Sequence, residues 1–283
     1  MKPSSPTFTL FFDILIFSDE GMREKNMDDI RKRVSRSFAN RLYVTRLVRS
    51  KKNWMNVPVN TVLDDIIKFK DAGINYQRVN VGLSQKGKSD LSKRLLYEGV
   101  REKTNDIEFW KGTDINQYFI SPQTNRFCRP DIELADNERV ILNEDYFAIH
   151  PKLIWRQTAP YPICTIDYNG IWFGRSIQAG LIKPKYQKEL SYEFLCGLLN
   201  SKYLRYLYEQ NVKEGGRVFP QVKLEHLKPL PIVVDNKKTQ QLIEERVTEI
   251  IKVKRFTISE DTTPLESEID RLVYQLYGLT EEE

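Results

Sequence analysis

The feature that most constrains the fold is the separation of two hydrophobic patterns along the chain. Between residues 54 and 187 the apolar residues fall in short runs rich in Val, Ile, Tyr and Trp, interrupted by Gly, Asn, Asp or Pro. Such runs are typical of β-strands joined by turns. From residue 188 onward the apolar residues recur every three or four positions, which is typical of amphipathic helices. This separation predicts an α+β fold, in which a mostly β lobe precedes a helical C-terminal region.

Five strings in the β-type section are the clearest strand candidates. They are YQRVNVGL (76–83), RVIL (139–142), PKLIWRQT (151–158), PICTIDY (162–168) and GIWFG (170–174). Asn169-Gly170 stands between the last two strings, and both residue types accept a positive φ. The pair therefore predicts a β-hairpin that joins the flanking runs.

The last third carries helix signals at its ends as well as along its faces. In residues 190–210, which we expect to form one helix, Ser191 is the predicted cap. Residues 236–256 place Ile243, Val247, Ile250 and Ile251 on one face. In residues 263–278, Thr263 is the predicted cap, with a Pro after it and a Gly at the end.

The N-terminal section differs from both. Residues 7–17 form an apolar run that is too short to span a membrane and contains Asp13, so we expect a buried strand or the stub of a segment removed upstream. Residues 27–50 show a helical repeat of apolar residues with arginines on the other faces. The predicted organisation is an N-terminal strand and basic connector helix (1–53), a β-rich recognition domain (54–187) and a helical region (188–283).

Charge is distributed unevenly. Residues 22–103 contain 20 Lys and Arg against 9 Asp and Glu, a net charge of +11, whereas the whole chain has +5. A basic block on an otherwise acidic chain favours a polyanionic partner, and the alternative is a solvated charged surface. Three scattered cysteines, without metal-ligand spacing, suit the reducing cytoplasm. We expect a cytoplasmic protein without a membrane partner.

Catalytic motifs are missing from the sequence. It has no GxGxxG, no GxxxxGK[ST] and no GxSxG, and neither His150 nor His226 has a partner at a catalytic spacing. It also has no Asn/Asp-Pro-Pro-aromatic loop of the kind that an adenine methyltransferase needs, and no glycine-rich turn for a methyl donor. We therefore predict no catalytic residue, bound cofactor or metal in this chain.

Several strings nevertheless occur in a known order. AGINYQRVNVGLSQKGKSDL is followed by FWKGTDINQYFI, HPKLIWRQT, LCGLLNSKYLRYLY, GGRVFPQVKLEHLKPLPI and EIDRLVYQLYGLTEEE. Over residues 70–281 the chain resembles the TaqI-like C-terminal specificity domain. That domain is the target-recognition module of N6-adenine DNA methyltransferases and of fused type II restriction–modification enzymes. Residues 197–232 are the most specific part of the resemblance.

The resemblance implies partners as well as a fold. It implies double-stranded DNA and a methyltransferase or endonuclease, on a separate subunit or on a domain missing here. S-adenosylmethionine, and Mg²⁺ if the partner is a nuclease, would belong to that partner. The chain is then a specificity subunit, a truncated gene product or an excised piece. The alternative is a catalytically inert protein-interaction scaffold derived from such a domain.

The resemblance also directs attention to polar residues in loops of the β-rich lobe. Arg156 is a candidate reader of guanine or, equally, a member of an ion pair inside the sheet, and Gln157 is a candidate reader of adenine. Arg217 and Lys93 are candidate phosphate contacts, while Phe219 and Pro220 have structural roles. The full set of DNA-binding candidates is Lys86, Lys88, Lys93 and Arg94 in the QKGKSDLSKRL loop, Lys111 and Asp114 in KGTD, Arg156 and Gln157 in WRQT, and Arg217 and Lys223 in GGRVFPQVK.

Overall fold

A computed structural model describes residues 61–70, 73–78, 85–212, 220–234 and 236–279, with the backbone alone for residues 85–89 and 211. The strand and basic helix predicted for residues 1–53 lie outside the described residues, as do Arg217 and Phe219. The domain boundaries at residues 53 and 187 stay predictions. None of the helices in the described ranges is long and apolar enough to cross a membrane.

The described chain has short strands first and its longest helices last, which confirms the α+β class. The strands are β1 (Ile67–Lys70), β2 (Asn75–Arg78), β3 (Leu96–Glu98), β4 (Ile107–Trp110), β5 (Ile115–Asn116), β6 (Phe119–Ile120), β7 (Arg126–Cys128), β8 (Glu138–Ile141), β9 (Lys152–Arg156), β10 (Cys164–Asp167), β11 (Trp172–Phe173) and β12 (Ile177–Ile182). The helices are α1 (Leu63–Ile66), α2 (Gln85–Leu95), α3 (Glu144–Ala148), α4 (Tyr192–Asn200), α5 (Lys202–Asn211), α6 (Leu224–Leu227), α7 (Lys237–Phe256) and α8 (Thr263–Leu276).

Most strands belong to two four-stranded sheets. Sheet A has the order β1-β12-β9-β10 and is antiparallel throughout. Sheet B has the order β11-β4-β7-β3, and its β11–β4 pair is parallel. Two smaller antiparallel pairs, β2–β8 and β5–β6, complete the described strands.

Sheet A is the middle layer of the structure because both of its faces are buried. On β9, Leu153 and Trp155 point into a core shared with α4, α5, α7 and α8. Ile154, between them, points into a second core that sheet B closes with Phe109 and Phe173. Alternation along one strand therefore fills two different cores. This burial on both sides explains why PKLIWRQT is apolar at consecutive positions.

The helical layer agrees with most of its sequence signals. Ser191 caps α4 by accepting a hydrogen bond from the Phe194 amide at 3.0 Å, and the predicted apolar face of α7 is buried. The single helix predicted over residues 190–210 is wrong, because it is divided at Ser201. The Ser201 hydroxyl accepts from the Leu204 amide and caps α5 as a separate helix. The N-cap position of α8 is Thr262, one residue earlier than predicted, and its side chain makes no capping hydrogen bond.

Two loop predictions are also wrong. QKGKSDLSKRL is not a loop, since residues 85–95 form α2. Asn169-Gly170 does not make a hairpin, because β10 pairs within sheet A whereas β11 pairs with β4 of sheet B. Gly170 has a positive φ of 73°, but Asn169 does not, so the turn is not the type that joins two-residue hairpins.

A buried ion pair fixes the turn at which the hairpin was predicted. Asp167 accepts hydrogen bonds from the amides of Asn169, Gly170 and Ile171 at 2.9, 2.9 and 3.0 Å. It also lies 2.7 Å from the ammonium group of Lys152, and both side chains are fully buried. Lys152 uses its other two hydrogens on the carbonyl oxygens of Phe147 and Ile149. The pair thus fixes the turn through which the chain leaves sheet A for sheet B.

We expect Lys152→Met to lower the free energy of unfolding by about 3–5 kcal/mol, because it leaves a buried carboxylate without its counter-charge. Lys228→Met is the matched control. Lys228 pairs with Asp64 at 3.2 Å on the surface, where such pairs contribute about 1 kcal/mol or less. Urea unfolding followed by circular dichroism measures both variants. Equal losses in the two variants would contradict a special role for the buried pair.

A second buried carboxylate joins β8 to the elements beside it. Glu138 has a fully buried side chain and accepts hydrogen bonds from Arg94, the Ala135 amide and Arg78. The hydrogen bond from Arg94 is the main cause that lowers the pKa of Glu138 to about 2, with Ala135 and Arg78 adding to it. The ionised form of Glu138 therefore stabilises the folded state.

We expect Glu138→Gln to be less stable than the wild type at neutral pH and to approach it in acid. The depressed pKa means that the stabilisation is complete above the unfolded-state pKa of about 4.3 and is lost as pH falls toward 2. Thermal unfolding of both proteins between neutral pH and pH 2 tests this. Glu133→Gln, which changes an exposed carboxylate, is the control. A stability difference that does not depend on pH would contradict the assignment.

Candidate nucleic-acid interface

Ser176, in the turn between β11 and β12, joins two of the strings singled out in the sequence. Its hydroxyl accepts a hydrogen bond from the Gly112 amide at 2.9 Å, and its carbonyl accepts one from the Gln157 amide at 2.8 Å. A Cβ at position 112 would lie 2.8 Å from the Ser176 carbonyl oxygen, so the approach requires glycine. The hydroxyl and the carbonyl of Ser176 therefore hold the KGTD and WRQT strings together.

The end of the GGRVFPQVK string lies against the same place. The Val222 amide donates to the Gln157 carbonyl at 2.7 Å, and Thr158 forms an antiparallel bridge with Gln221. From the helical layer, the hydroxyl of Tyr208 donates to the Gln221 carbonyl at 3.4 Å and accepts from the Lys223 amide at 3.3 Å. Through Tyr208, α5 thus holds the backbone of this segment in place.

These contacts bring four segments to one edge of the molecule, which we name the convergent edge. It consists of Lys111–Asp114, Arg156–Thr158, Gly174–Ser176 and Gln221–Lys223. Five of the predicted residues lie on it, namely Lys111, Asp114, Arg156, Gln157 and Lys223. Segments distant in sequence meet there through main-chain hydrogen bonds and through the Ser176 hydroxyl, so the geometry of the edge is set mainly by the backbone.

The remaining candidates lie elsewhere. Lys93 and Arg94 are on α2, which packs on β2 and β3. Lys93 is exposed, whereas Arg94 donates to the Glu133 carbonyl at 2.8 Å and to the Glu138 carboxylate. Lys86 and Lys88 belong to the first turn of α2, where only the backbone is described.

Asp114 is engaged in holding the turn that contains it. Its carboxylate accepts from the Lys111 amide at 2.7 Å and from the Arg126 guanidinium at 2.6 Å. Arg126 also pairs with Glu98, which lies 2.9 Å from the ammonium group of Lys111. The hydrogen bond from Lys111 is the main cause that lowers the pKa of Glu98. Lys111 and Asp114 therefore belong to one network of alternating charges.

Arg156 is held by polar groups other than carboxylates. Its guanidinium donates to the Ile115 carbonyl and, at 2.8 Å, to the amide oxygen of Asn116. Both acceptors belong to β5. Arg156 therefore links sheet A to the β5–β6 hairpin and does not form the ion pair inside the described sheet that was the alternative prediction. Partial burial lowers the pKa of Arg156 below its ordinary value. Its charge has no carboxylate within salt-bridge distance in the described part of the chain.

The side chains of Gln157 and Lys223 differ in their contacts with the rest of the described chain. The side chain of Gln157 is half-exposed and makes no hydrogen bond within the described ranges, although its backbone is bonded on both sides. Lys223 is half-buried, and its ammonium group lies 3.6 Å from Glu225. A fixed backbone with a free amide is the arrangement that a base-reading glutamine needs.

Arg175 is a residue of the convergent edge that the sequence reasoning missed. Its side chain is exposed, and within the described residues it makes no hydrogen bond, ion pair or ring contact. The backbone beneath it is fixed, because Gly174 donates to the Trp110 carbonyl at 3.0 Å and Ile177 donates to the Gly174 carbonyl at 3.1 Å. A Cβ on Gly73 would lie 2.9 Å from the Arg175 nitrogen. The available signal was an arginine directly after the GIWFG strand.

The described surroundings of the two histidines are ordinary surface contacts. His150 is exposed and its Nδ1 lies 2.9 Å from the Ala148 carbonyl oxygen, while His226 lies 3.5 Å from Glu225. Within the described residues, no group of three or more His, Cys, Asp or Glu is arranged to hold a metal ion.

The chain is similar to several solved structures, all at low identity. It resembles the type IIL restriction–modification enzyme MmeI in complex with DNA at 13% identity and a TM-score of 0.44, covering 74% of this chain and 33% of that one. It resembles the HsdS subunit from Thermoanaerobacter tengcongensis at 12% identity and a TM-score of 0.37, covering 90% of this chain and 55% of that one. It also resembles the type IIG restriction endonuclease BpuSI at 13% identity and a TM-score of 0.33, covering 85% of this chain and 34% of that one. With TM-scores below 0.5, none of these likenesses determines the function of this chain.

The chain therefore spans only a third to about a half of the length of these structures. No curated protein matches it in sequence. A family model does match, the TaqI-like C-terminal specificity domain, over residues 107–232. That range contains the whole convergent edge. Residues 107–232 of the chain are therefore similar to the TaqI-like C-terminal specificity domain.

Proposed function

We propose that this chain is the sequence-specific DNA-binding module of a restriction–modification system and that it binds DNA through the convergent edge. The observation that carries the proposal is the convergence of KGTD, WRQT and the end of GGRVFPQVK around Ser176 and Gln157. All of these segments fall within the matched family range. Target recognition requires polar side chains on a rigid support, and the edge provides one.

Two kinds of side chain on the edge suit the two kinds of DNA contact. Within the described residues, the side chains of Gln157 and Arg175 have unoccupied hydrogen-bonding groups. They are therefore the candidates for reading base edges, adenine by an amide and guanine by a guanidinium. Lys111 and Lys223 carry charges on the same edge and are candidates for phosphate contacts. Arg156 contributes charge while it anchors the β5–β6 hairpin.

The chemistry belongs to a partner in this proposal. A methyltransferase or endonuclease, on another subunit or domain, would bind S-adenosylmethionine and, for cleavage, Mg²⁺. This chain would then place that partner at a defined sequence. The reducing cytoplasm, where such a system meets DNA, is the proposed location, and it suits the three buried free cysteines.

We expect the chain to bind duplex DNA with steep salt dependence. If about five phosphates are neutralised, the affinity should fall roughly a hundredfold or more between about 50 and 200 mM salt, because condensed counterions are released on binding. Fluorescence anisotropy with a labelled random duplex measures this. An affinity that does not change with salt, or no binding at any salt, would favour the alternative of a protein-interaction scaffold.

We expect Gln157→Ala and Arg175→Ala to weaken binding to the cognate site by about 1–3 kcal/mol each, with non-specific binding nearly unchanged. Arg175→Lys should not restore specificity, since it loses the bidentate geometry. By contrast, Arg217→Ala should weaken binding to all sequences and reduce the salt slope by about one. The cognate sequence can be selected from random duplexes in the presence of the catalytic partner.

Arg271→Ala is the control for these substitutions, because it changes an exposed arginine on α8 of the helical layer. It should leave both cognate and non-specific affinities unchanged. If Gln157→Ala and Arg175→Ala weaken binding uniformly on all duplexes, these residues are not base readers. If neither changes the affinity while the fold is intact, the convergent edge is not the DNA-binding face.

A further inference from the structure

A groove separates the β5–β6 hairpin and β10 from the C-terminal end of α7. It has a volume of 620 Å³. Its walls are largely apolar, with aliphatic residues such as Ile120, Pro122, Ile166 and Ile251 beside Tyr and Phe side chains. A groove of this composition suits apolar side chains better than a phosphate backbone, because apolar walls would strip water from charged oxygens without replacing their hydrogen bonds.

Two large apolar side chains stand exposed at this groove. Phe256, the last residue of α7, is 90% exposed, and Ile258 is 53% exposed. Both residues line the groove. Single exposed apolar residues are common on protein surfaces, but a pair beside an apolar groove is typical of an interaction site.

The exposed pair is carried by an ordered turn. The Lys254 ammonium group donates to the Ile258 carbonyl at 3.3 Å and to the Glu260 carbonyl at 2.6 Å. The Thr257 amide donates to the Val253 carbonyl at 2.9 Å, and the Glu260 amide donates to the Thr257 carbonyl at 3.1 Å. The turn therefore presents Phe256 and Ile258 from a fixed backbone, which lowers the entropy lost when a partner binds.

Among the described residues that line the groove, the two charged side chains, Lys254 and Arg255, are both cationic. Lys254 is bonded to carbonyl oxygens, and the Arg255 guanidinium lies 5.2 Å from the centroid of the Tyr168 ring. Neither cation has a carboxylate within salt-bridge distance in the described residues. An occupant with Asp or Glu beside its apolar side chains would complement this surface.

We propose that the groove binds an acidic amphipathic segment of a partner protein, with Phe256 and Ile258 as the apolar anchors on this side. A neighbouring cleft of 460 Å³, which Arg156 lines, shares Phe119, Lys254 and Ile258 with the groove. A segment bound in the groove would consequently lie close to the convergent edge without covering it. The proposal does not depend on DNA binding.

The test uses the full chain and random displayed peptides long enough for about four helical turns. Selected peptides should combine large apolar residues with a net negative charge. Against a synthetic selected peptide, Phe256→Asp and Ile258→Asp should each weaken binding at least about tenfold, since buried apolar anchors dominate such interfaces. Arg255→Glu should also weaken it. Val100→Asp is the matched control, because Val100 is 87% exposed and lies in the β-rich lobe, away from the groove.

The remaining outcomes are equally decisive. All four variants change exposed side chains, so unchanged thermal unfolding should accompany the losses. A failure to enrich acidic peptides, or binding that Phe256→Asp does not affect, would overturn the proposal. Self-association of the wild type that Phe256→Asp abolishes would assign the groove to a second copy of the chain instead. Loss of DNA affinity in Phe256→Asp would assign it to DNA, so DNA affinity that stays unchanged is the expected result.

Discussion

The buried ion pair between Lys152 and Asp167 is the interaction on which the arrangement of the two sheets depends. Lys152 begins β9 and Asp167 ends β10, and the two residues are directly paired in the ladder. The ammonium group uses all three hydrogens, and the carboxylate accepts four hydrogen bonds. A buried charge is tolerable only with such complete satisfaction. The carboxylate then fixes the turn after β10, and that turn directs β11 into sheet B.

The position of β11 determines the convergent edge. Because β11 pairs in parallel with β4, the turn after β11 lies next to the turn after β4. The first of these turns contains Arg175 and Ser176, and the second contains Gly112 and Asp114. The Ser176 hydroxyl closes the gap between them by accepting from the Gly112 amide. β12 then returns to sheet A beside β9, which places Gln157 within reach of the Ser176 carbonyl. The edge is thus a consequence of strand order.

Patterns that depend on neighbouring residues were predictable from the sequence. The apolar face of α7 and the cap at Ser191 follow from spacing and from one side chain. The break at Ser201 was not predictable in this way, because a serine within a helical repeat acts as a cap only when the backbone turns before it. The Asn169-Gly170 signal failed because the carboxylate of Asp167 binds the three amides that follow and imposes another turn. Arg175 was missed because three backbone segments distant in sequence fix its position, and the sequence around Arg175 does not reveal them.

Because of the ion pairs around the convergent edge, its cations are not equally available to bind DNA. A count of cations treats Lys111, Arg126 and Arg175 as equivalent, but Lys111 and Arg126 already share Glu98, and Arg126 also binds Asp114. DNA would have to compete with these carboxylates for either residue, so each contributes less to binding than a free cation would. Their network instead holds the KGTD turn in place. Under the proposed function, the guanidinium of Arg175 and the side-chain amide of Gln157, which make no hydrogen bond within the described residues, are the groups that a base would meet without breaking an existing contact. The proposed function thus assigns support and recognition to different residues of the same edge.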